Sequence, residues 1–222
     1  MKIPRKEWLQ CLILAAPFCA GAWLWDKLPE RMPIHWGING QVDGCSSKPV
    51  AALLLPCINL AVALLMVILP RLDPKFVRYD EETQASLRRT FSAMRLAVTL
   101  FLSITALGIL ATPLYPAFRT MQMIVPGSGI LLIVFGNLMT KLRPNWFFGI
   151  RTPWTLESRE VWIKTHRLGG KLMVAGGGCL FVFGCLLPMR QFIIWVVFPT
   201  VAVMSIVPIV YSYIVCARSR PK

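Results

Sequence analysis

Six apolar runs, each close to the length needed to cross a lipid bilayer, govern what this chain can fold into. An α-helix rises 1.5 Å per residue and the bilayer core is about 30 Å thick, so a crossing takes about 20 apolar residues. The runs are Trp8–Trp25, Val50–Leu69, Phe91–Leu114, Met121–Leu142, Leu172–Pro188 and Phe192–Cys216. In lipid every backbone polar group must be satisfied within the segment, which leaves helices as the natural form of such runs. Composition supports this reading: 56% of the 222 residues are hydrophobic and 15% charged, against about 45–50% and 25% in soluble domains. The expected fold is an all-α polytopic membrane protein with six transmembrane helices. Ala20-Gly21-Ala22 resembles a signal cleavage site, but the run before it is long for a signal peptide, so it reads as the first span.

The charges set the expected orientation. The formal net charge is +14, with 24 lysines and arginines. They cluster in short segments between the runs, a pattern of membrane insertion rather than of nucleic-acid binding. Nineteen lie on one side: those of 1–7, of the 71–95 segment, of 141–171 and of the tail; five, Lys27, Arg31, Lys48, Arg119 and Arg190, lie on the other. Positive loops face the cytoplasm. Both termini and the 143–171 segment are therefore expected inside, and 26–48 outside, with a bacterial plasma membrane as host and anionic lipid as counter-charge. The seven cysteines show no metal spacing and read as small buried hydrophobes. The tryptophans fall near span ends and read as interface anchors. Pro17, Pro56, Pro199 and Pro208 are expected to bend their spans.

Two polar islands interrupt this pattern. The first, Asn145-Trp-Phe-Phe-Gly-Ile-Arg-Thr-Pro-Trp-Thr-Leu-Glu-Ser-Arg-Glu-Val-Trp-Ile-Lys-Thr-His166, follows the fourth span. Gly149 and Pro153 break any helix there. Thr155 is expected to cap a helix ending at Gly169-Gly170, with Glu157 in its first turn. Trp162 and His166 share one face of it, one turn apart. Two readings stay open: an amphipathic cytoplasmic helix lying in the membrane interface, or a binding cap on which Arg151, Glu157 and His166 converge with Asn137 and Asn145. Asn137, inside the fourth span, is expected to bond another helix or a substrate. The second island, Leu28–Gly44, offers a short strand at Ile34–Trp36 and a hairpin turn at Asn39-Gly40. His35 and Asp43 are expected to meet across it in a hydrogen bond, since two ligands make an incomplete metal site.

The run GNLMTKLRPNWFFGIRTPWTLESREVWIKTHRLGGK resembles the C-terminal signature of the SdpI-like family of bacterial membrane proteins, named for the immunity protein of a sporulation-delaying toxin. LPERMPIHWGINGQVDGCSSK resembles the short domain of unknown function that often precedes it, although Cys45-Ser46 replaces the more usual aromatic and small residue. The implied organisation is 1–70, two spans with the loop motif 26–48, then 71–222, the SdpI-like region with its signature loop 143–171. The resemblance implies protection against a secreted peptide toxin, contacted outside, and capture of a DNA-binding repressor at the cytoplasmic face. Its implied binding residues on the cap are Asn137, Lys141, Asn145, Gly149, Arg151, Pro153, Trp154, Thr155, Glu157, Trp162, Thr165 and His166. Those of the outer loop are Pro33, His35, Gly40, Asp43 and Lys48. No cofactor, metal or direct nucleic-acid contact is expected, and the oligomeric state is left open. A small-solute transporter is the alternative, although the runs hold no acidic residue to carry a coupling ion. A membrane-embedded enzyme ranks lower, because His35 and His166 lie on opposite sides and neither neighbours a serine at membrane depth.

Overall fold

The computed structural model describes residues 5–115 and 117–219, with side chains from Glu7 onward. Lys2, Arg220 and Lys222, part of the charge count above, lie outside the described residues. The chain runs through α1 (Arg5–Trp23), β1 (Arg31–Trp36), β2 (Val42–Ser47), α2 (Lys48–Leu72), α3 (Pro74–Val77) and α4 (Glu81–Ala111). It continues through α5 (Thr120–Met139), α6 (Pro153–Glu157), α7 (Arg159–Leu186), α8 (Met189–Phe192) and α9 (Phe198–Ser219). A π turn at Ile193–Val197 joins α8 and α9 into one rod and precedes Pro199, which lacks the N–H that a regular helix would need there. Five of these rods are long and apolar enough to cross a membrane. The sixth apolar helix is α1, shortened in hydropathy by Glu7 and Gln10 near its start. The all-α polytopic architecture is as expected.

The helices pack through two different devices. Between α5 and α7 the backbones touch. A Cβ on Gly136 would meet the Gly170 carbonyl at 2.6 Å, and one on Gly129 would meet the Gly177 carbonyl at 2.5 Å. Small residues permit this approach, and close backbone packing stabilises helix pairs where lipid removes the hydrophobic drive. This explains why α7 does not stop at Gly169-Gly170: the helix expected over 155–168 continues into the fifth span, and only the five residues of α6 stand apart. Among α1, α2 and α4 the device is polar. Arg95 Nη2 binds both Glu7 carboxylate oxygens (2.7 and 2.8 Å), and its Nε donates to Gln10 Oε1 (3.1 Å). Gln10 donates to Thr99 Oγ1 (2.9 Å), and Asn59 donates to Ser103 Oγ (3.0 Å) and to the Thr99 carbonyl (3.1 Å). Arg95, Thr99 and Ser103 stand four apart on one face of α4, so three buried polar groups line a single seam.

Three expectations need correction. The cysteines are not buried: Cys11, Cys19, Cys57 and Cys179 are exposed on helix faces, where a thiol is apolar enough to meet lipid, and Cys185 is exposed near the end of α7. Trp162 is no interface anchor, being fully buried in a cluster with Leu87, Phe91, Met94 and Leu142. Asn137 bonds no other helix among the described residues. It is exposed near the end of α5 and donates to the Ile133 carbonyl of its own helix (2.9 Å), a local bond that needs no partner.

At one end of the bundle β1 and β2 form an antiparallel hairpin, anchored by fully buried Met32 against Leu28, Ala51, Ala52 and Leu110. At the other end, the 140–158 segment closes over α3 and the tips of α4, α7 and α9.

Candidate functional site

The cap at 140–158 is built from internal hydrogen bonds. Asn145 is fully buried. Its Oδ1 accepts from the amides of Phe147 (3.0 Å) and Phe148 (2.6 Å), and its Nδ2 donates to the carbonyls of Arg143 (2.9 Å) and Phe148 (3.0 Å). One side chain thus fixes the turn that leaves α5. Thr152 and Thr155 form a capping box at the start of α6, each accepting the other's backbone N–H (2.8 and 3.2 Å). The expected cap, Thr155, is therefore the third residue of the helix and Thr152 the N-cap. Ser158 then caps α7 through the Val161 amide (3.3 Å).

His166 occupies the centre. Its ring stacks on Trp162 at 3.9 Å between centroids and 18° between planes. The Ile150 amide donates to Nε2 (3.0 Å), so Nε2 bears no proton and Nδ1–H donates to the Trp162 carbonyl (2.9 Å). Both ring nitrogens are engaged by main chain, and the residue is 1% exposed. Gly149, at φ +109°, lets the chain pass over this ring; a Cβ there would run into Nε2. Trp162 Nε1 donates to the Leu142 carbonyl (2.9 Å), tying α7 to the exit of α5. Thr165 is also fully buried, its hydroxyl without a partner among the described residues.

Other elements lock onto this cap. Asp73 caps α3 through the Lys75 amide (2.8 Å), and its second oxygen accepts from the Trp146 amide (2.8 Å). Lys75 donates to the Leu156 carbonyl (3.0 Å) and Tyr79 to that of Pro144 (2.9 Å). Burial pushes the Tyr79 phenol up, which keeps it a donor. Thr152 meets Ser212 of α9 (3.1 Å), and Trp154 packs edge-on against Tyr213 (5.3 Å). Asp73, Lys75, Tyr79, Thr152 and Ser212 were not expected at this site. Asp73-Pro74 carries a local signal, an N-cap residue followed by proline at the first helical position.

The convergence expected of Arg151, Glu157 and His166 with Asn137 and Asn145 does not form. Asn145 and His166 are buried and internally bonded, whereas Asn137, Lys141, Arg151, Pro153 and Glu157 are exposed. Arg151 reaches back to the Trp146 carbonyl. Lys164 pairs with Glu160 one turn away (2.6 Å). The cap is thus held by internal hydrogen bonds, with Trp146, Arg151 and Glu157 on its outer surface.

The hairpin at the opposite end is also internally held. His35 Nδ1 and Asp43 Oδ1 lie 2.5 Å apart across the strands, both exposed, which is the pairing expected of them. Gly40, at φ +74°, makes the turn beside Asn39, and Pro33 is buried opposite Cys45. Lys48 clasps the hairpin base: it pairs with Glu30 (2.9 Å), donates to the Leu28 carbonyl (3.3 Å) and lies over the Trp25 ring (5.3 Å). Between the hairpin tip, Arg119–Gln122 and the α7–α8 turn lies a cavity of about 790 Å³.

These features define a polytopic membrane protein whose helix bundle carries a hairpin at one end and a sealed, hydrogen-bonded cap at the other. Residues 141–212 match the SdpI/YfhL protein family, and residues 12–60 match a domain of unknown function, DUF1648. The SdpI/YfhL match thus lies over the C-terminal part of the chain, with the DUF1648 match ahead of it. It is similar to the Immunity protein SdpI of Bacillus subtilis (strain 168), at 28% identity over 173 residues, 78% of each chain. No solved structure matches it. The family match covers the cap, α7 and most of α9; the DUF1648 match covers the hairpin and much of α1 and α2.

Proposed function

We propose that this chain is an immunity protein of the bacterial plasma membrane, protecting its host from a membrane-active peptide. The observation that carries this reading is the similarity to an immunity protein over 78% of both chains. The lysine and arginine distribution supports a cytoplasmic cap and an outer hairpin. On that orientation the outer cavity beside Trp36, Asn39, Gln41 and Arg119 is where a peptide would be met. The cap would be the docking surface for a cytoplasmic repressor protein. What supports this is its division of labour: Asn145, Thr155, Trp162 and His166 hold its shape, leaving Trp146, Arg151 and Glu157 on the surface. A non-enzymatic role fits histidines that are both engaged, His166 with main chain and His35 with Asp43.

Deleting the gene should lower the concentration at which a membrane-active peptide, above all one made by a neighbouring operon, inhibits the producing cell. Restoring the gene should return it. Unchanged sensitivity across such peptides would sink the immunity reading. Repressor docking is tested separately, by asking whether Arg151→Glu with Glu157→Lys releases a DNA-binding protein that sediments with membranes carrying the unaltered chain.

A further inference from the structure

A second cavity, of about 490 Å³, opens at the cap end between the start of α1, the end of α2, α3 and the first half of α4. Its chemistry divides in two. Met66, Val67, Pro70, Phe76 and Phe91 form an apolar wall, and Arg71, Arg88 and Arg95 project guanidinium groups along it. Arg95, at the inner end, is nine-tenths buried and already neutralised by Glu7. Arg71 and Arg88 have no acidic partner within ion-pair distance among the described residues; Arg88 bonds only Gln84 (2.9 Å) and lies over the Phe76 ring (5.7 Å). Glu7 is the sole acidic lining residue, and its carboxylate is held by Arg95, so the cavity keeps a net positive wall. Seven residues separate Arg88 from Arg95, about 10 Å along α4, so the cavity runs from the helix end inward toward the lipid level.

We propose that this cavity holds the headgroup of an anionic phospholipid, with its phosphate between Arg71 and Arg88 and its glycerol and upper acyl chain along the apolar wall. Guanidinium forks match phosphate oxygens in geometry and charge. An apolar wall continuous with a charged mouth suits an amphiphile better than a free anion, which would leave Val67 and Val77 facing water. The inference does not depend on the immunity reading.

The test uses the full chain in neutral detergent, with thermal unfolding and native mass spectrometry as readouts. Phosphatidylglycerol should raise the unfolding temperature and remain bound in the mass spectrum, while phosphatidylcholine should do neither. Arg71→Gln and Arg88→Gln, both at exposed positions that leave the Glu7–Arg95 pair intact, should each weaken phosphatidylglycerol binding by about fivefold. Arg190→Gln, at the hairpin end, should leave it unchanged. Equal binding of both lipids, or equal losses from Arg190→Gln, would overturn the proposal. Stabilisation by inorganic phosphate equal to that by phosphatidylglycerol would overturn the lipid assignment and leave a free-anion site. Peptide sensitivity of the Arg71→Gln cell reports on immunity separately, so the two readings fail independently.

Discussion

Residues that look equally polar in the sequence have opposite situations in the fold. Asn145 and Asn137 lie eight positions apart in one motif. Asn145 organises a turn through four hydrogen bonds, whereas Asn137 sits exposed with one bond to its own helix. The sequence could flag both but not separate them, because the difference lies in which way the backbone turns after α5. Replacing a buried, bonded group strands its partners, at about 1–3 kcal/mol each. His166→Ala removes the acceptor of the Ile150 amide and the stack on Trp162. It should therefore destabilise the protein by about 2–4 kcal/mol, seen as a lower unfolding temperature in detergent. Asn137→Ala should stay within about 0.5 kcal/mol of the parent chain. Equal effects from the two substitutions would contradict the division drawn here. Gly149→Ala belongs with His166→Ala, since it strains a positive-φ position and meets the same imidazole ring.

Elements were legible where one physical rule decides them. The spans emerge from length and hydropathy because lipid allows few other solutions. Boundaries were less legible where glycine has two uses. Gly169-Gly170 reads as a helix stop in water, yet here Gly170 lies against Gly136 and the helix runs on into the bundle. The seam of Arg95, Thr99 and Ser103 carried its own signal, a four-residue polar spacing inside an apolar run. Its partners on α1 and α2, by contrast, have no counterpart in local sequence. The α5–α7 contact predicts a sharp dependence on side-chain size. Gly136→Val places a branched side chain against the Gly170 carbonyl and Val174, with backbone on one side and no flexible neighbour to yield. That change should cost about 1–3 kcal/mol or more by overpacking, and should lower the yield of monodisperse protein. Gly178→Val, where a Cβ meets nothing within 4 Å, is the matched control and should be tolerated. Loss of folding from both would show that helix propensity, not the contact, was at stake.

For the whole molecule, the decisive question is which end faces which compartment, because the peptide and repressor assignments both rest on it. The chain supplies its own reporter. Cys45 lies exposed on β2 of the hairpin and Cys185 lines the cavity beside it, while Cys11, Cys19, Cys57 and Cys179 sit within helices on faces that meet lipid, where a charged reagent does not reach them. Cys216, near the end of α9, is partly buried at the cap end. In a Cys185→Ser background, a membrane-impermeant maleimide added to intact cells should therefore modify Cys45, and Cys45→Ser should abolish that labelling. With Cys45 and Cys185 both replaced by serine, Glu157→Cys places a thiol at an exposed position on α6 of the cap. It should react only after the membrane is permeabilised. Labelling of Glu157→Cys in intact cells, with Cys45 protected, would invert the molecule. It would place nineteen of the 24 basic residues outside, against the rule that short basic loops stay in the cytoplasm. The cavity with Arg71 and Arg88 would then face the outer leaflet, and the hairpin cavity would face the cytoplasm. A peptide arriving from outside would meet the sealed cap instead of the 790 Å³ cavity, so this labelling pattern decides the sidedness on which the proposed mechanism depends.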